Sequence, residues 1–317
     1  MPVYASAFKE ARPPAAVIGA GAMGRTLALR LVERGYPLRA VLSQTQGHAD
    51  ELARAVGAGV ASDDFSVLPN DVRLVVIAVK DEALVDVAEL LTGVAHPWRE
   101  TVVVHTSGAQ AAAALEALAQ EGAATVSFHP LQTVTSTSGP DVLDHAYVGL
   151  EGDDRAVAAG IELAVALGMR YIVLSEDAKA RYHLAATMAS NFFVTLMGMV
   201  QEVLISLDIN REDGFAMLEP LLRGTLESLT TASPEEALTG PVARGDLETL
   251  RMHGQALRQH LPQLVPAYAA LTVEAVRIAV RSGKLDPNRA EDVLSLMQRL
   301  VTTPLPVSAT EPAPINN

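Results

Sequence analysis

Ala15-Ala16-Val17-Ile18-Gly19-Ala20-Gly21-Ala22-Met23-Gly24 decides how this chain is read. It is a short apolar run, then a GxGxxG turn, then the start of an amphipathic helix. In such a turn the first glycine (Gly19) permits the tight bend and the second (Gly21) lets backbone approach a pyrophosphate. The third (Gly24) lets helix and strand pack closely. The helix that follows aims its free N–H groups and the positive end of its dipole at bound phosphates. Ala20, Ala22 and Met23 complete the candidate cofactor-contacting segment. Six spaced residues are a weak signal alone, and a glycine-rich turn without a ligand is the competing reading. The weight comes from the turn's place on the first strand of an alternating pattern.

That pattern continues outward. Apolar runs near 15–18, 38–42, 74–79, 101–105, 125–128, 147–150 and 171–174 read as strands. Helical periodicity falls between them at 23–34, 50–56, 83–90, 110–119 and 156–166. Alternating strands and helices predict a parallel sheet with crossover helices. Continuous β-branched runs such as Val75-Val76-Ile77 and Val102-Val103-Val104 fit strands buried on both faces. After the second strand comes Ser43-Gln44-Thr45, without the carboxylate that would accept hydrogen bonds from an unphosphorylated ribose. Ser43 and Thr45 can donate to a phosphate, so NADP is favoured over NAD as cofactor.

Composition bounds the function. The chain has 317 residues, 49% hydrophobic and 19% charged, enough for two domains with their own cores. With no cysteine, disulfides, thiol catalysis and cysteine-ligated metals are excluded. A net charge of −13 argues against a nucleic-acid partner. The most apolar stretch, Leu184 to Leu207, is interrupted by Asn191, Gln201 and Glu202 and reads as a buried soluble helix rather than a membrane span. No secretory signal is recognised, so a cytoplasmic location is expected.

Beyond residue 175 the period becomes helical. One long helix is expected from Asp177 to Ser206, then helices near 211–229, 246–259, 265–281 and 289–301. The division expected is a dinucleotide-binding α/β domain over 14–175 and an all-α substrate and dimerisation domain over 176–303. Residues 1–13 and 304–317 are expected to be flexible ends.

Candidate chemistry gathers where strands end, because ligands of open α/β sheets lie outside the carboxyl ends of the strands. Val79-Lys80 would lie beside the cofactor, with Lys80 either meeting an anion or simply solvated. Ser107, before Gly108, either contacts the nicotinamide ribose or substrate or caps its loop. His129, held extended before Pro130, is either an acid/base group or a structural histidine. On the long helix, Lys179, His183, Thr187 and Asn191 follow at four-residue steps and so share a face. Such a polar stripe either lines a substrate cleft or forms a buried interhelical network. His183 is the proton donor by residue type, and Lys179 is the alternative if burial lowers its pKa. Thr239 and Arg244, flanking Gly240-Pro241, either reach a substrate anion or belong to a turn capped by Asp246. His253 and His260 lack acidic partners, and no metal site is read.

Together GxGxxG, Val79-Lys80-Asp81, His105-Thr106-Ser107-Gly108-Ala109, His129-Pro130-Leu131-Gln132-Thr133, Tyr182-His183 with Ser190-Asn191, and Thr239-Gly240-Pro241 with Arg244-Gly245-Asp246 resemble one family. It is an uncharacterised family of Rossmann-like NADP oxidoreductases with a helical C-terminal domain of unknown function. More broadly the chain is similar to ketopantoate reductases, 6-phosphogluconate and hydroxyisobutyrate dehydrogenases, pyrroline-carboxylate reductases and deazaflavin-dependent NADP reductases. Ketopantoate reductases carry a catalytic lysine followed by two asparagines at four-residue steps, where this chain has His183, Thr187 and Asn191. Ser107-Gly108 stands where they have Asn-Gly, and His129-Pro130 resembles the His-Pro of prephenate dehydrogenases. The resemblance implies hydride transfer between NADPH and a small polar carbonyl or imine. In it His183 gives the proton, Thr187 and Asn191 orient substrate, and Ser107 and His129 line the nicotinamide end, with Lys179 and Arg244 as anion-binding candidates. A homodimer through the helical domain is expected. The alternative is an NADP-binding sensor or scaffold without turnover, since a fold alone does not establish chemistry.

Overall fold

The computed structural model describes residues 12–303, which fall into two compact units that divide between Asn191 and Phe192. The division lies after the first helix of the expected helical domain, not at residue 175, so that helix groups with the α/β half. The expected flexible ends lie outside the described residues except for Arg12 and Pro13, and Arg12 is held with its guanidinium 5.2 Å from the Tyr36 ring.

The first unit is built on β1 (Ala15–Ile18), α1 (Ala22–Glu33), β2 (Leu38–Leu42), α2 (Gln46–Val56), β3 (Val60–Ser62), β4 (Leu74–Ile77), α3 (Leu84–Thr92), β5 (Val102–His105), α4 (Glu116–Gln120), β6 (Ala124–Pro130), β7 (Tyr147–Gly152), α5 (Asp154–Ala166), β8 (Arg170–Val173) and α6 (Glu176–Ala189). The eight strands form one sheet in the order β3-β2-β1-β4-β5-β6-β7-β8. Chain order reverses between β1 and β4, which is the point where a doubly wound sheet opens a crevice. Alternate residues of β1 enter different cores: Ala15 and Val17 pack with α1, α2 and α5, whereas Ala16 and Ile18 pack with α3. Burial on both faces is why these strands are continuous apolar runs rather than alternating ones.

Two features depart from the sequence reading of the sheet. β3 has only three half-buried residues at the edge, too few to show a period. β7 runs antiparallel to β6, with His129 opposite Gly149 and Ser127 opposite Glu151, while β8 is parallel to β7. A parallel return needs a crossover helix, and the link from Leu131 to Ala146 holds only the single 3₁₀ turn Pro140–Leu143. That link is pinned at its middle and near its C-terminal end. Arg25 of α1 donates to the Ser138 carbonyl at 3.1 Å, and the buried Arg30 pairs with Asp144.

The expected single helix 177–206 is also corrected. α6 ends at Ala189, Ser190 is a turn residue with φ −112° and ψ −70°, and α7 (Asn191–Ile205) starts at the boundary between the units. The Ser190 hydroxyl lies 3.2 Å from that of Thr133, a contact outside the helix. α7 is not a buried helix within its own chain: none of its residues is buried. After α7 come α8 (Arg211–Thr231), α9 (Pro234–Ala237), α10 (Leu247–His260), α11 (Val265–Arg281) and α12 (Pro287–Thr302). The core of the second unit joins α10, α11 and α12 through Leu250, Val265, Val276, Val293 and Met297. Two stretches, Glu176–Ile205 and Pro262–Arg281, have the length and apolarity of a membrane-crossing helix, with mean hydropathy 1.4 and 1.3. The first of these is the one broken at Ser190.

Candidate active site

The phosphate-binding turn has the shape its glycines imply. Gly19 has φ +104°, and a Cβ there would overlap the Ala78 carbonyl and lie 3.2 Å from Val79 Cγ1. A Cβ on Gly24 would overlap the Gly19 carbonyl, so α1 and β1 can approach this closely only without one. Gly21 is the N-cap of α1, exposed, with nothing within 4 Å of the place a Cβ would take. The open side of Gly21 and the N-terminus of α1 form a cradle that fits a dinucleotide pyrophosphate. Val79 packs beside this turn, whereas Lys80 is 86% exposed and pairs with the similarly exposed Glu82 at 3.9 Å.

At the end of β2, Ser43 is nearly buried and its N–H donates to the Ser62 carbonyl, while Gln44 and Thr45 are exposed. Thr45 is the N-cap of α2 without a side-chain cap bond. The fold adds groups that linear reading misses, because Asp63 and Asp64, from just beyond β3, share a pocket of about 500 Å³ with Gln44. Asp64 is held below the usual carboxylate range by the hydroxyl and N–H of Ser66. Carboxylates are therefore present near the end of β2 although β2 itself supplies none.

The second cluster lies where β5 and β6 end, under α6. His105, the last residue of β5, is fully buried and accepts from the Ser107 N–H on Nδ1 at 3.2 Å, while its Nε2–H donates to the Ala111 carbonyl at 3.2 Å. Burial, then the Lys179 charge, pushes it down to about 4, so it is a neutral anchor for the turn that follows. The Ser107 hydroxyl accepts from the Gln110 N–H at 2.9 Å, and its carbonyl accepts from Lys179 Nζ at 3.1 Å. Gly108 comes next, buried between two imidazoles. A Cβ there would overlap His183 Nδ1 and lie 2.8 Å from His129 Nε2.

His129 meets His183 edge-on at 5.8 Å between ring centroids and Tyr182 at 5.7 Å. Burial first, then the charges of Lys179 and His183, hold His129 at about 4. Burial likewise pushes the Tyr182 hydroxyl up. Two buried ring nitrogens here have no hydrogen-bond partner, His129 Nδ1 and His183 Nδ1, while the Tyr182 hydroxyl lies against the Gly149 backbone. Their residues line a cavity of about 610 Å³ with Gln132, Thr133, Thr187, Ser190 and Asn191. The structure therefore brings together His129, His183, Thr187 and Asn191, with Ser107 and Lys179 beneath the turn. Tyr182, His105 and Ser127 join the cluster from α6, β5 and β6, and Glu151 joins it through the reversed pairing of β7, which no local pattern signals. Thr239 and Arg244 belong to the second unit, where both are exposed and Asp246 caps α10 by accepting from the Thr249 N–H at 3.1 Å.

Turn, switch point and cavity define a Rossmann-type fold of the NAD(P)-dependent oxidoreductase kind. More particularly, residues 14–108 match the family model of coenzyme F420-dependent NADP oxidoreductases, and residues 146–275 match a domain of unknown function, DUF2520. This is the two-part organisation that the motifs imply. A provisionally assigned NADP oxidoreductase of Bacteroides fragilis is 24% identical with TM-score 0.69, the match covering 84% of this chain and 98% of that one. A protein of Thermotoga maritima is 24% identical with TM-score 0.65, covering 86% and 100%. A pyrroline-5-carboxylate reductase of Coxiella burnetii is 18% identical with TM-score 0.54, covering 88% and 97%. At these identities the likeness is one of fold. No protein of curated function matches the chain.

Proposed function

We propose that this protein is an NADPH-dependent reductase of a small, polar carbonyl or imine compound. The observation that carries the reading is the pair of unpartnered ring nitrogens, His129 Nδ1 and His183 Nδ1, on residues that line one cavity. Buried polar groups are nearly always paired in folded proteins, so their partner is the substrate. Gly19, Gly21, Gly24 and the N-terminus of α1 hold the dinucleotide, and when bound it supplies hydride. His183 gives the proton that a carbonyl oxygen or imine nitrogen needs as its carbon is reduced. Thr187 and Asn191 orient the substrate, and His129, kept neutral, offers a hydrogen bond without adding charge. The fold shared with a reductase whose named substrate is a pyrroline supports an imine among the candidates.

The protein acts as a homodimer in this reading. α7 and α8 carry Phe192, Val194, Ile205, Phe215 and Leu221 at more than half exposure. An apolar surface of that extent marks an interaction face, and a second copy of the helical unit is its expected cover.

Calorimetric titration with NADPH, NADH, NADP and NAD tests the cofactor, and a panel of 2-oxo acids and cyclic imines, followed by absorbance of the reduced nicotinamide, tests the reaction. NADPH-selective binding with oxidation by one panel member is the expected result. Selective binding without turnover across that panel favours a sensor, and tighter NADH binding assigns selectivity to Asp63 and Asp64. No dinucleotide binding overturns the reading.

A further inference from the structure

Lys179 stands apart from the other residues of the polar stripe on α6. His183, Thr187 and Asn191 line the cavity and Lys179 does not. It is 2% exposed, and its ammonium donates to the Ser107 carbonyl and to the Ser127 hydroxyl. Ser127 is fully buried in the middle of β6 and pairs with Glu151 of β7, which is itself 7% exposed and accepts from the Ala112 N–H at 2.6 Å. A donor of protons to substrate has to present its nitrogen to the cavity, and this one is turned to backbone and strand.

Resting on the site assigned above, we propose that Lys179 is a positioning residue: it anchors the Ser107-Gly108 turn from below and supplies a fixed positive charge under the two imidazoles. The turn is held from two sides, by His105 on its N–H and by Lys179 on its carbonyl, and it is Gly108 that fills the gap between His183 and His129. The groups facing the ammonium are His105 of β5, His129 of β6, Glu151 of β7 and Asp81 just after β4, with His183 one turn along α6. Burial brings Lys179 down to about 8 and the two carboxylates oppose that shift, so at neutral pH the charge is present. That charge is the second cause, after burial, that keeps His105 and His129 neutral. Through it the site gains an uncharged imidazole at His129, beside His183.

The test needs no substrate. In Lys179→Met, NMR titration of the imidazoles is expected to show His129 taking its proton about one pH unit higher, and the Gly108 amide to exchange with solvent at least tenfold faster. Lys179→Arg, which keeps the charge but cannot fit the same two acceptors, is expected to leave the His129 titration in place and to speed Gly108 exchange. If Lys179→Met does not fold, Lys179→Gln, which also removes the charge, takes its place in both readouts. Unchanged Gly108 exchange in a folded variant overturns the anchoring role, and an unchanged His129 titration in Lys179→Met overturns the electrostatic one. Because neither readout uses NADPH, absence of reductase activity in the native protein would sink the proposed function without touching this result.

Discussion

The backbone of Gly108 passes so close to the His183 ring that the smallest side chain at position 108 would occupy the place of Nδ1. His129 Nε2 closes the other side, 2.8 Å from the same point. Gly108→Ala must therefore displace at least one of the two histidines. Overpacking of this kind costs roughly 1–3 kcal/mol, equivalent to a fall in Tm of several degrees. Turnover is expected to drop more than tenfold, since misplacement of a reacting group by an ångström is enough for that. Thermal melts and steady-state rates check it. Full activity in the alanine variant would mean that the two imidazoles are not positioned by this turn.

His183→Gln keeps a hydrogen-bonding side chain on α6 but removes the imidazole. Turnover is expected to fall by about 10²–10⁴-fold, the range for a lost general acid, with NADPH affinity changed by less than about twofold. Calorimetry beside single-turnover kinetics separates the two. A loss confined to cofactor affinity would remove His183 from proton transfer.

Stability is expected to decline as pH falls from about 6.5 to about 4. His105 accepts the Ser107 N–H and is fully buried, so it stays neutral to about 4 in the folded chain, whereas in the unfolded chain it binds a proton near its usual value. Over that window the unfolded state holds more protons, and lowering pH favours it. At 1.36 kcal/mol per pKa unit, His105 alone accounts for about 3 kcal/mol. Urea midpoints between pH 7 and pH 4.5 measure the slope. His105→Gln, less stable at pH 7, is expected to show a shallower one, and an equal slope would assign the acid sensitivity elsewhere.

Light scattering on a sizing column tests the covering of α7 and α8. A dimer is expected for the native chain, and Phe192→Glu, at a side chain 56% exposed, is expected to shift it toward monomer. A native monomer would leave that apolar surface to another partner.

Most of the fold is legible in the sequence because its signals are local. Gly19, Gly21 and Gly24 are constrained by backbone geometry within ten residues, and burial of β1, β4 and β5 on both faces leaves unbroken apolar runs. The direction of β7 is not local, though the run Thr133-Val134-Thr135-Ser136-Thr137-Ser138-Gly139-Pro140 argues for a loop where a crossover helix would be needed. The break at Ser190 leaves no mark in the periodicity, because serine is tolerated inside helices and its contact with Thr133 comes from a distant segment. For the same reason the stripe from Lys179 to Asn191 shows that four polar groups share a face but not that the first is sealed and the rest open. Asp63 and Asp64 reach the end of β2 only through a strand of three residues.

α6 and β6 are matched in step. A helix advances about 6 Å in four residues and a strand about 6.6 Å in two. α6 runs beside β6 in the same direction, so Lys179 meets Ser127, His183 meets His129, and Ser190 meets Thr133 in the link beyond. β7, running the other way, presents Glu151 and then Gly149 at the first two of those levels. The first four-residue step of the helix thus matches a two-residue step of the strand, with the anchor at the first level and the cavity-lining imidazoles at the second. One residue inserted between Lys179 and His183 would turn everything beyond it by about 100°, disengaging the imidazole while leaving its anchor in mesh.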